Sequence, residues 1–173
     1  MLYVLETTRL QLRPCRRMED ALLLQTLWTN DLIRYFLFDN RTISFDDARS
    51  YVEDSLTNFE EYGYGLWLVL ARVNIKRLVG FAGCLRSEAG IPSLIYGIHP
   101  NYWGYGYATE AASAVLKYML ETLNLPVVKA DADEPNIASV RVLEKIGMVK
   151  TGSAVVNEKP LVYFEKSHSA SAI

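Results

Sequence analysis

The chain has 173 residues, of which 50% are hydrophobic and 22% charged, with a formal net charge of −2, and this composition fits one globular domain. The charge gives no electrostatic footprint for nucleic acid, although it does not exclude a local basic patch. No apolar run approaches the ~20 residues needed to cross a bilayer, and segment 1–6 lacks the length and flanks of a signal peptide, so we expect a cytoplasmic protein that binds no membrane.

The first half of the chain predicts two helices and four strands. Leucines alternate with polar residues up to Pro14, which indicates a strand. Apolar residues at helical spacing predict helices over 18–28 and 45–62, with Ser44 as the N-cap of the second. Asn74 indicates a turn between two antiparallel strands. The strands predicted in this half are 8–14, 66–71, 77–84 and 93–98.

The second half predicts alternating helices and strands. A strongly periodic helix covers 107–123, and a shorter helix opens at Pro135–Asn136 and ends at Gly147, a suitable residue after a helix C-terminus. The strands predicted here are 127–132, 148–156 and 161–165. The order indicates a single mixed α/β domain over residues 1–166, followed by a small, polar and frayed tail at 167–173.

The segment Trp103–Thr109, here called the glycine loop, lies between a predicted strand and a predicted helix. Gly104 and Gly106 let backbone N–H groups approach a ligand without an intervening Cβ atom. The first helical amides lack intrahelical acceptors and lie at the positive end of the helix dipole, which predicts a phosphate site; a tight turn is the alternative. Because a third motif glycine and a Gly-Lys-Ser/Thr sequence are absent, the pattern favours a pyrophosphate that is held and not transferred.

Five segments carry motifs in a fixed order along nearly the whole chain. Residues 6–14 fit T-x-R-L-x-L-R-P and residues 100–111 fit P-x-Y-W-G-x-G-Y-A-T-E-A. Residues 136–148 resemble N-x-x-S followed by L-E-K-x-G-F, with Met148 in place of the phenylalanine, and further matches lie at 63–67 and 79–83. Together they resemble the GCN5-related N-acetyltransferase (GNAT) superfamily, specifically its ribosomal-protein-alanine N-acetyltransferase branch. The resemblance implies the GNAT fold, a mixed, mostly antiparallel sheet of six to seven strands flanked by about four helices.

The same resemblance implies acetyl-CoA as co-substrate and no metal. The backbone of the glycine loop would hold the pyrophosphate, and the main chain near Ile98 would hold the pantetheine arm. The loop residues concerned are Trp103, Gly104, Tyr105, Gly106, Tyr107, Ala108 and Thr109. Asn136 would contact the arm, with N-capping of the last helix as its alternative role, and Ser139 would donate a proton or hydrogen bond to the leaving sulfur. Many members use a tyrosine where Leu143 stands here.

Deprotonation of the amine is the step with the weakest sequence signal. Relatives in the branch usually have a carboxylate at the start of the fourth strand of their fold, where this chain has Ser93. A water chain to Glu53, Glu60 or Glu61 could serve instead, although each is expected to be an exposed helix charge. His99 is expected to have a strand-end role. Since an α-amine has a pKa near ~8 and a lysine one near ~10.4, an α-amine or another low-pKa amine is the easier acceptor.

Four other residues have both a functional and a structural interpretation. Tyr64 and Trp67 are candidates to bind the acceptor, and core packing is their alternative. Cys15 and Cys84 have no metal-like spacing and are expected to be buried small hydrophobes. We therefore expect an N-acetyltransferase, monomeric or homodimeric, that acts on a protein N-terminus or a small-molecule amine. A non-catalytic acyl-CoA-binding sensor or partner-binding module is the alternative, because Ser93 replaces the usual carboxylate.

Overall fold

The computed structural model describes residues 3–169, which form eight β-strands and five α-helices. The strands are β1 (Leu5–Glu6), β2 (Leu10–Pro14), β3 (Leu66–Ala71), β4 (Asn74–Arg86), β5 (Pro92–Ile98), β6 (Val127–Asp133), β7 (Val149–Val156) and β8 (Lys159–Ser167). The helices are α1 (Met18–Trp28), α2 (Asp31–Leu37), α3 (Phe45–Tyr62), α4 (Tyr107–Lys117) and α5 (Ile137–Lys145).

All eight strands join one sheet in the order β1-β2-β3-β4-β5-β6-β8-β7. Every neighbouring pair is antiparallel except β5 and β6, which run parallel. The predicted mixed, mostly antiparallel sheet is confirmed, with slightly more elements than expected. The additional ones are short, since β1 has two residues and α2 has seven, too few for a periodic pattern to indicate them.

Several predicted boundaries differ from the structure, and two of the differences change the description of an element. The helix predicted over 107–123 is α-helical only to Lys117 and then widens into a π-helical turn over Tyr118–Thr122. The frayed tail was predicted to begin at residue 167, but β8 reaches Ser167, and the His168 amide donates to the Pro126 carbonyl at 3.0 Å. Residues 170–173 of that tail lie outside the described residues.

Hydrophobic side chains cover both faces of the sheet, because residues along each strand alternate between them. On β3, Leu68 packs among residues of α1 and α3, whereas Trp67 packs among residues of α4. We call these sides the α1–α3 face and the α4–α5 face. On β6, Val128 and Ala130 belong to the α4–α5 core cluster. The intervening residues of β6, which include Asp131, therefore point to the α1–α3 face.

The parallel pair β5–β6 is joined only at one end in the described structure. Its register contains the pair Ser93–Lys129, and the rest of β5 up to Ile98 has no partner on β6. The other edges are fully paired, as β5 matches β4 from Pro92 to Ile98 and β6 matches β8 along its whole length. The two strands therefore separate beyond Ser93 towards the glycine loop. We call this opening the β5–β6 divergence.

Candidate active site

The glycine loop presents unpaired amides beside the end of β5. Gly104 and Gly106 have φ angles of 83° and 79°, in the left-handed region that disfavours side chains. The first bond of α4 runs from the Glu110 amide to the Gly106 carbonyl at 3.1 Å, so the amides of Tyr107 to Thr109 precede any intrahelical bond. A Cβ atom at Gly104 would meet nothing within 4 Å, which leaves open space for a ligand. Amide donors, a helix dipole and this space fit a pyrophosphate.

Arg9 and Thr7 attach the start of α4 to the edge of the sheet. The Arg9 guanidinium donates to the Tyr105 carbonyl and to Glu110, both at 2.7 Å, and the Arg9 amide and Thr7 hydroxyl also donate to Glu110. The Arg9 guanidinium further stacks over the Tyr107 ring at 4.6 Å. Partial burial opposes ionisation of Glu110, but the bonds from Thr7 and Arg9 outweigh it and lower the pKa of this carboxyl. Arg9 therefore holds the loop in shape.

No role for Thr7 and Arg9 was predicted, although both belong to the opening motif that carries the resemblance. Their partner Glu110 lies about a hundred positions away, and only the folded chain shows the contact. The motif was the one signal that could have found them.

The backbone of β5 faces the divergence at Ile98. The His99 amide donates to the Val79 carbonyl at 2.8 Å, so the amide and carbonyl of the preceding Ile98 point away from β4. The Trp103 indole N–H donates to the Ile98 carbonyl at 2.7 Å, so this carbonyl already has a partner. The Ile98 amide and the main chain of Tyr96 are thus the strand-like groups left for an extended ligand. Trp103 closes one end of this edge with its side chain.

Ser139 and Asn136 lie at the start of α5, as the spacing predicted. The Asn136 side-chain oxygen accepts from the Ser139 amide at 3.2 Å, which makes Asn136 the N-cap of the helix. The Ser139 hydroxyl lies 2.9 Å from the Tyr96 hydroxyl, which also donates to the Ser139 carbonyl at 3.0 Å. Because a phenol has one proton, Ser139 is the donor in the hydroxyl pair. Burial, opposed by the bond to Ser139, raises the pKa of Tyr96 to about 12.

The opposite, α1–α3 face of the same strands carries a groove of about 480 Å³. Ser93 and Asp131 line it together with Lys129 and Tyr163. Asp131 is exposed to solvent in the groove, and desolvation by the surrounding residues together with repulsion by Asp133 raises its pKa. In the described part of the chain, neither a hydrogen bond nor an ion pair joins the Asp131 side chain to another residue.

An ion pair connects two loops beside this face. Lys159, at the start of β8, bonds Asp39, which follows α2, at 2.7 Å. Burial and repulsion by Asp39 raise the pKa of Asp133 although Lys159 opposes them, so Asp133 lies within electrostatic reach of the pair. The pair thus links the α2–α3 loop to the β7–β8 hairpin near the C-terminal end of β6.

A family model described as an acetyltransferase (GNAT) domain matches residues 9–149. The chain belongs to the GNAT acetyltransferase family. The uncharacterized N-acetyltransferase YoaA of Bacillus subtilis (strain 168) is 29% identical over 154 residues, which are 88% of this chain and 86% of YoaA.

Solved structures show the same GNAT fold. An acetyltransferase of Bordetella pertussis has a TM-score of 0.81 at 21% identity, over 95% of this chain and 99% of its own. RimL, a ribosomal-protein alpha-N-protein acetyltransferase in complex with coenzyme A, has a TM-score of 0.78 at 14% identity, over 95% of this chain and 97% of its own.

For this GNAT chain, the structure gathers the residues predicted for the cofactor around one opening. The glycine loop and Ile98 lie where β5 ends, and Asn136 and Ser139 begin the helix that follows β6. Tyr96 is an additional member that sequence reasoning assigned no role. It lies on β5 three residues after Ser93, which stands where the resemblance implies a carboxylate.

The two residues predicted to bind the acceptor lie in the core instead. Trp67 has no exposed surface, and its indole N–H donates to the Tyr3 carbonyl at 2.6 Å. Tyr64 is 1% exposed, and its hydroxyl accepts from Arg86 at 3.4 Å. Neither side chain offers surface to an acceptor, so the core-packing alternative holds for both.

The other base candidates are placed as expected for structural residues. Glu53, Glu60 and Glu61 are exposed on α3. The His99 Nδ1 accepts from the Asn101 amide at 3.1 Å and caps the short turn after β5, which confirms its strand-end role.

Three further observations concern the cysteines, the clusters of possible metal ligands and the lengths of the helices. Cys15 and Cys84 are free and buried, and burial raises the pKa of both thiols, so neither is available as a nucleophile. Within residues 3–169, no group of His, Cys, Asp and Glu side chains is arranged to hold a metal ion. The described helices include none that is long and apolar enough to cross a membrane.

Proposed function

We propose that the protein transfers the acetyl group of acetyl-CoA to a primary amine. The observation that carries this proposal is the glycine loop, whose free amides stand at the mouth of the β5–β6 divergence. A pyrophosphate on the loop would direct an attached pantetheine arm between the two strands. The family match and the coenzyme A bound to RimL support acetyl-CoA as this ligand.

The chain's own residues would hold acetyl-CoA at three places. The amides of Tyr107, Ala108 and Thr109 would donate to the pyrophosphate. The open edge of β5, with the main chain of Tyr96 and Ile98, would bond the arm as a neighbouring strand would. The side-chain nitrogen of Asn136 would donate to the pantetheine arm, while its side-chain oxygen would still accept from the Ser139 amide and cap α5. Acetyl-CoA supplies the activated acetyl thioester.

Ser139 and Tyr96 would act on the leaving side of the reaction. The Ser139 hydroxyl would turn from Tyr96 to the departing sulfur, and Tyr96 would retain its bond to the Ser139 carbonyl. A phenol with a pKa of about 12 is a poor acid towards a thiolate, for which ~8.5 is ordinary. Ser139 and Tyr96 would therefore stabilise the departing sulfur by hydrogen bonding, without transferring a proton to it permanently.

The acceptor would be a primary amine, either a protein α-amine or a small-molecule amine of low pKa. About a tenth of an amine with a pKa near ~8 is neutral at pH 7, against well under a thousandth for one near ~10.4. RimL acts on a protein α-amine, and its similarity in fold makes peptides the first acceptors to test.

Two measurements, made one after the other, test the proposed function. Thermal unfolding with acetyl-CoA should show stabilisation that grows with ligand concentration, since a ligand that binds the folded state raises the unfolding temperature. Thiol release would then be followed with peptides, polyamines, aminoglycosides and amino acids. Absence of any shift at millimolar acetyl-CoA would refute the cofactor. A clear shift with no thiol release from any acceptor would favour the non-catalytic, acyl-CoA-binding alternative.

A further inference from the structure

We propose that Asp131 on β6 is the general base that takes the proton from the acceptor's ammonium group. The inference rests on the proposed function and supplies the step for which the sequence shows no residue. The resemblance described above implies a carboxylate at the start of β5, where this chain has Ser93. Asp131 would provide it from the neighbouring strand.

The sheet register places Asp131 at the narrow end of the β5–β6 divergence. Ser93 pairs with Lys129 at the last joined position, and Asp131 follows two residues further along β6, about 7 Å towards the open end. Side chains two residues apart on a strand share a face, so Asp131 lies on the α1–α3 face with Lys129. Ser93 lines the same groove. A carboxylate absent from one strand is therefore present on the next, beside the opening.

The cofactor and the acceptor would approach this opening from opposite sides. Ser139 and Tyr96 belong to the α4–α5 side, where the Tyr96 hydroxyl reaches α5. Asp131 belongs to the α1–α3 side, where the groove of about 480 Å³ leaves room for the body of an acceptor. An amine held by Asp131 would thus face a thioester in the divergence, with the sulfur directed to Ser139.

The surroundings of Asp131 favour its protonated form more than water does. On its own strand it is flanked by Lys129 and Asp133, and on β8 it lies opposite Tyr163, while Glu165 lies opposite Lys129. From β5 and β7 the groove receives Ser93 and the segment 151–153, none of which is ionisable. Asp131 is exposed to solvent in the groove, and desolvation by the surrounding residues together with repulsion by Asp133 raises its pKa above the ordinary value for an aspartate. A higher pKa makes the carboxylate a stronger base.

The other carboxylates with known partners are committed to the structure. Glu110 bonds Thr7 and Arg9 at the start of α4, and Asp20 forms a buried pair with Arg13 at 2.7 Å. Asp39 bonds Lys159, and the exposed Glu53 lies 3.7 Å from Arg49. None of these four lines the groove.

The proton balance is simple. An ammonium loses two protons when it becomes an amide. Asp131 would take the first and pass it to water, which leaves a neutral amine. The nitrogen lone pair then forms the C–N bond, the C–S bond breaks, and sulfur leaves with its electron pair. The second nitrogen proton ends on that sulfur, so coenzyme A is released as the thiol.

The test compares Asp131→Asn with Asp133→Asn in the full chain. Two amines that the wild-type protein acetylates would be used, one with a pKa near ~8 and one near ~10.4. Asp131→Asn should lower kcat/KM on the order of 100-fold for the more basic amine and about ten-fold for the other, with acetyl-CoA affinity unchanged. Asp133→Asn should keep the plateau of kcat/KM and move its acid limb to lower pH, because it removes a charge that raises the pKa of Asp131.

A rescue experiment distinguishes a catalytic role of Asp131 from a structural one. Ser93→Glu in the Asp131→Asn background returns a carboxylate to the position on β5 and should recover part of the lost kcat/KM. The proposal is wrong if Asp131→Asn keeps wild-type kcat/KM for both amines, or if it loses acetyl-CoA binding to the same extent as turnover. Should Asp131→Asn fail to fold, Asp131→Ala answers the same question. A wild-type protein that releases no thiol would overturn the proposed function itself and not the placement of the base.

Discussion

The two sides of the β5–β6 divergence offer a ligand different groups, mainly backbone amides on one side and side chains on the other. On the α4–α5 side, the proposed contacts to acetyl-CoA come mainly from backbone amides, and partly buried groups such as Tyr96 fix Ser139 in place. On the α1–α3 side, the groove is lined by residues that include Ser93, Lys129, Asp131 and Tyr163. The exposed ion pair of Lys159 with Asp39 lies within electrostatic reach of Asp133, at the end of β6. A ligand common to a family can be bound by fixed backbone geometry, whereas an acceptor is selected by side chains.

This difference predicts how mutations will act on each side. A change in the glycine loop alters the backbone itself and should reduce binding of acetyl-CoA whatever the acceptor. A change on the α1–α3 face should leave acetyl-CoA binding intact and alter the dependence on the acceptor. Experiments that measure both acetyl-CoA affinity and acceptor kinetics in the same variant can therefore test whether the two sides act separately.

Gly106→Asp should have the largest effect on the α4–α5 side. Its φ angle of 79° is unfavourable for a side chain, and the new carboxylate would repel a pyrophosphate. We expect the Kd for acetyl-CoA, measured by calorimetry, to rise on the order of 100-fold, with strain accounting for about 1–2 kcal/mol. Gly106→Ala is the matched control, since it introduces the strain without the charge and should cost roughly ten-fold. An unchanged Kd in both variants would show that the pyrophosphate does not bind here.

Ser139→Ala should reduce turnover with little effect on binding. Loss of one hydrogen-bond donor to a developing negative charge costs about 10²-fold in kcat in well-ordered sites, and we expect a loss of ten-fold or more. Tyr96→Phe should cause a smaller loss, because Ser139 keeps its hydroxyl but loses the partner that orients it. If both act through one unit, the double variant will be no worse than Ser139→Ala. Additive losses, or a loss confined to the Kd for acetyl-CoA, would contradict this arrangement.

The fold and the cofactor side were largely predictable because their signals are local. Gly104 and Gly106 need left-handed backbone, and Asn136 stands where it caps α5, so each can be recognised within a few residues of sequence. The short helix α2 escaped prediction because its seven residues carry too little periodicity.

The α1–α3 face was not predictable in the same way. Asp131 is one of two alternating aspartates on a strand, and its proximity to Ser93 depends on how far β5 and β6 pair. Tyr64 and Trp67 were expected to contact the acceptor because aromatic residues suit both a pocket and a core. Only the depth at which the chain buries them decides between these roles, and that depth is a property of the whole fold.

Acid should weaken the attachment of the glycine loop through Glu110. The folded pKa of this carboxyl lies below its ordinary value, so its stabilisation is fully present above the unfolded pKa of about 4.3 and is lost as the pH falls through the folded pKa. Glu110→Gln should destabilise the protein by about 1–2 kcal/mol at pH 7, since charge-assisted bonds from Arg9 are lost. Denaturant unfolding at pH 7 and below pH 4 should show that the difference between wild type and variant shrinks in acid. A constant difference would mean that the ionised form of Glu110 is not what stabilises the loop.

The smallest effect on stability should come from Lys159→Ala on the α1–α3 side. Its ion pair with Asp39 is largely exposed, and such pairs contribute little to folding, so the unfolding temperature should barely change. The pair nevertheless joins the α2–α3 loop to the β7–β8 hairpin near Asp133, which follows Asp131 by two residues on β6. Its loss should therefore raise the KM for the acceptor a few-fold while the Kd for acetyl-CoA stays the same. If the ion pair itself matters, Asp39→Asn should raise the KM for the acceptor to the same extent, because it removes the negative partner of Lys159. A change in KM for Lys159→Ala alone would instead assign the effect to the lysine charge, and a change in acetyl-CoA affinity would show that the two sides of the divergence are not independent.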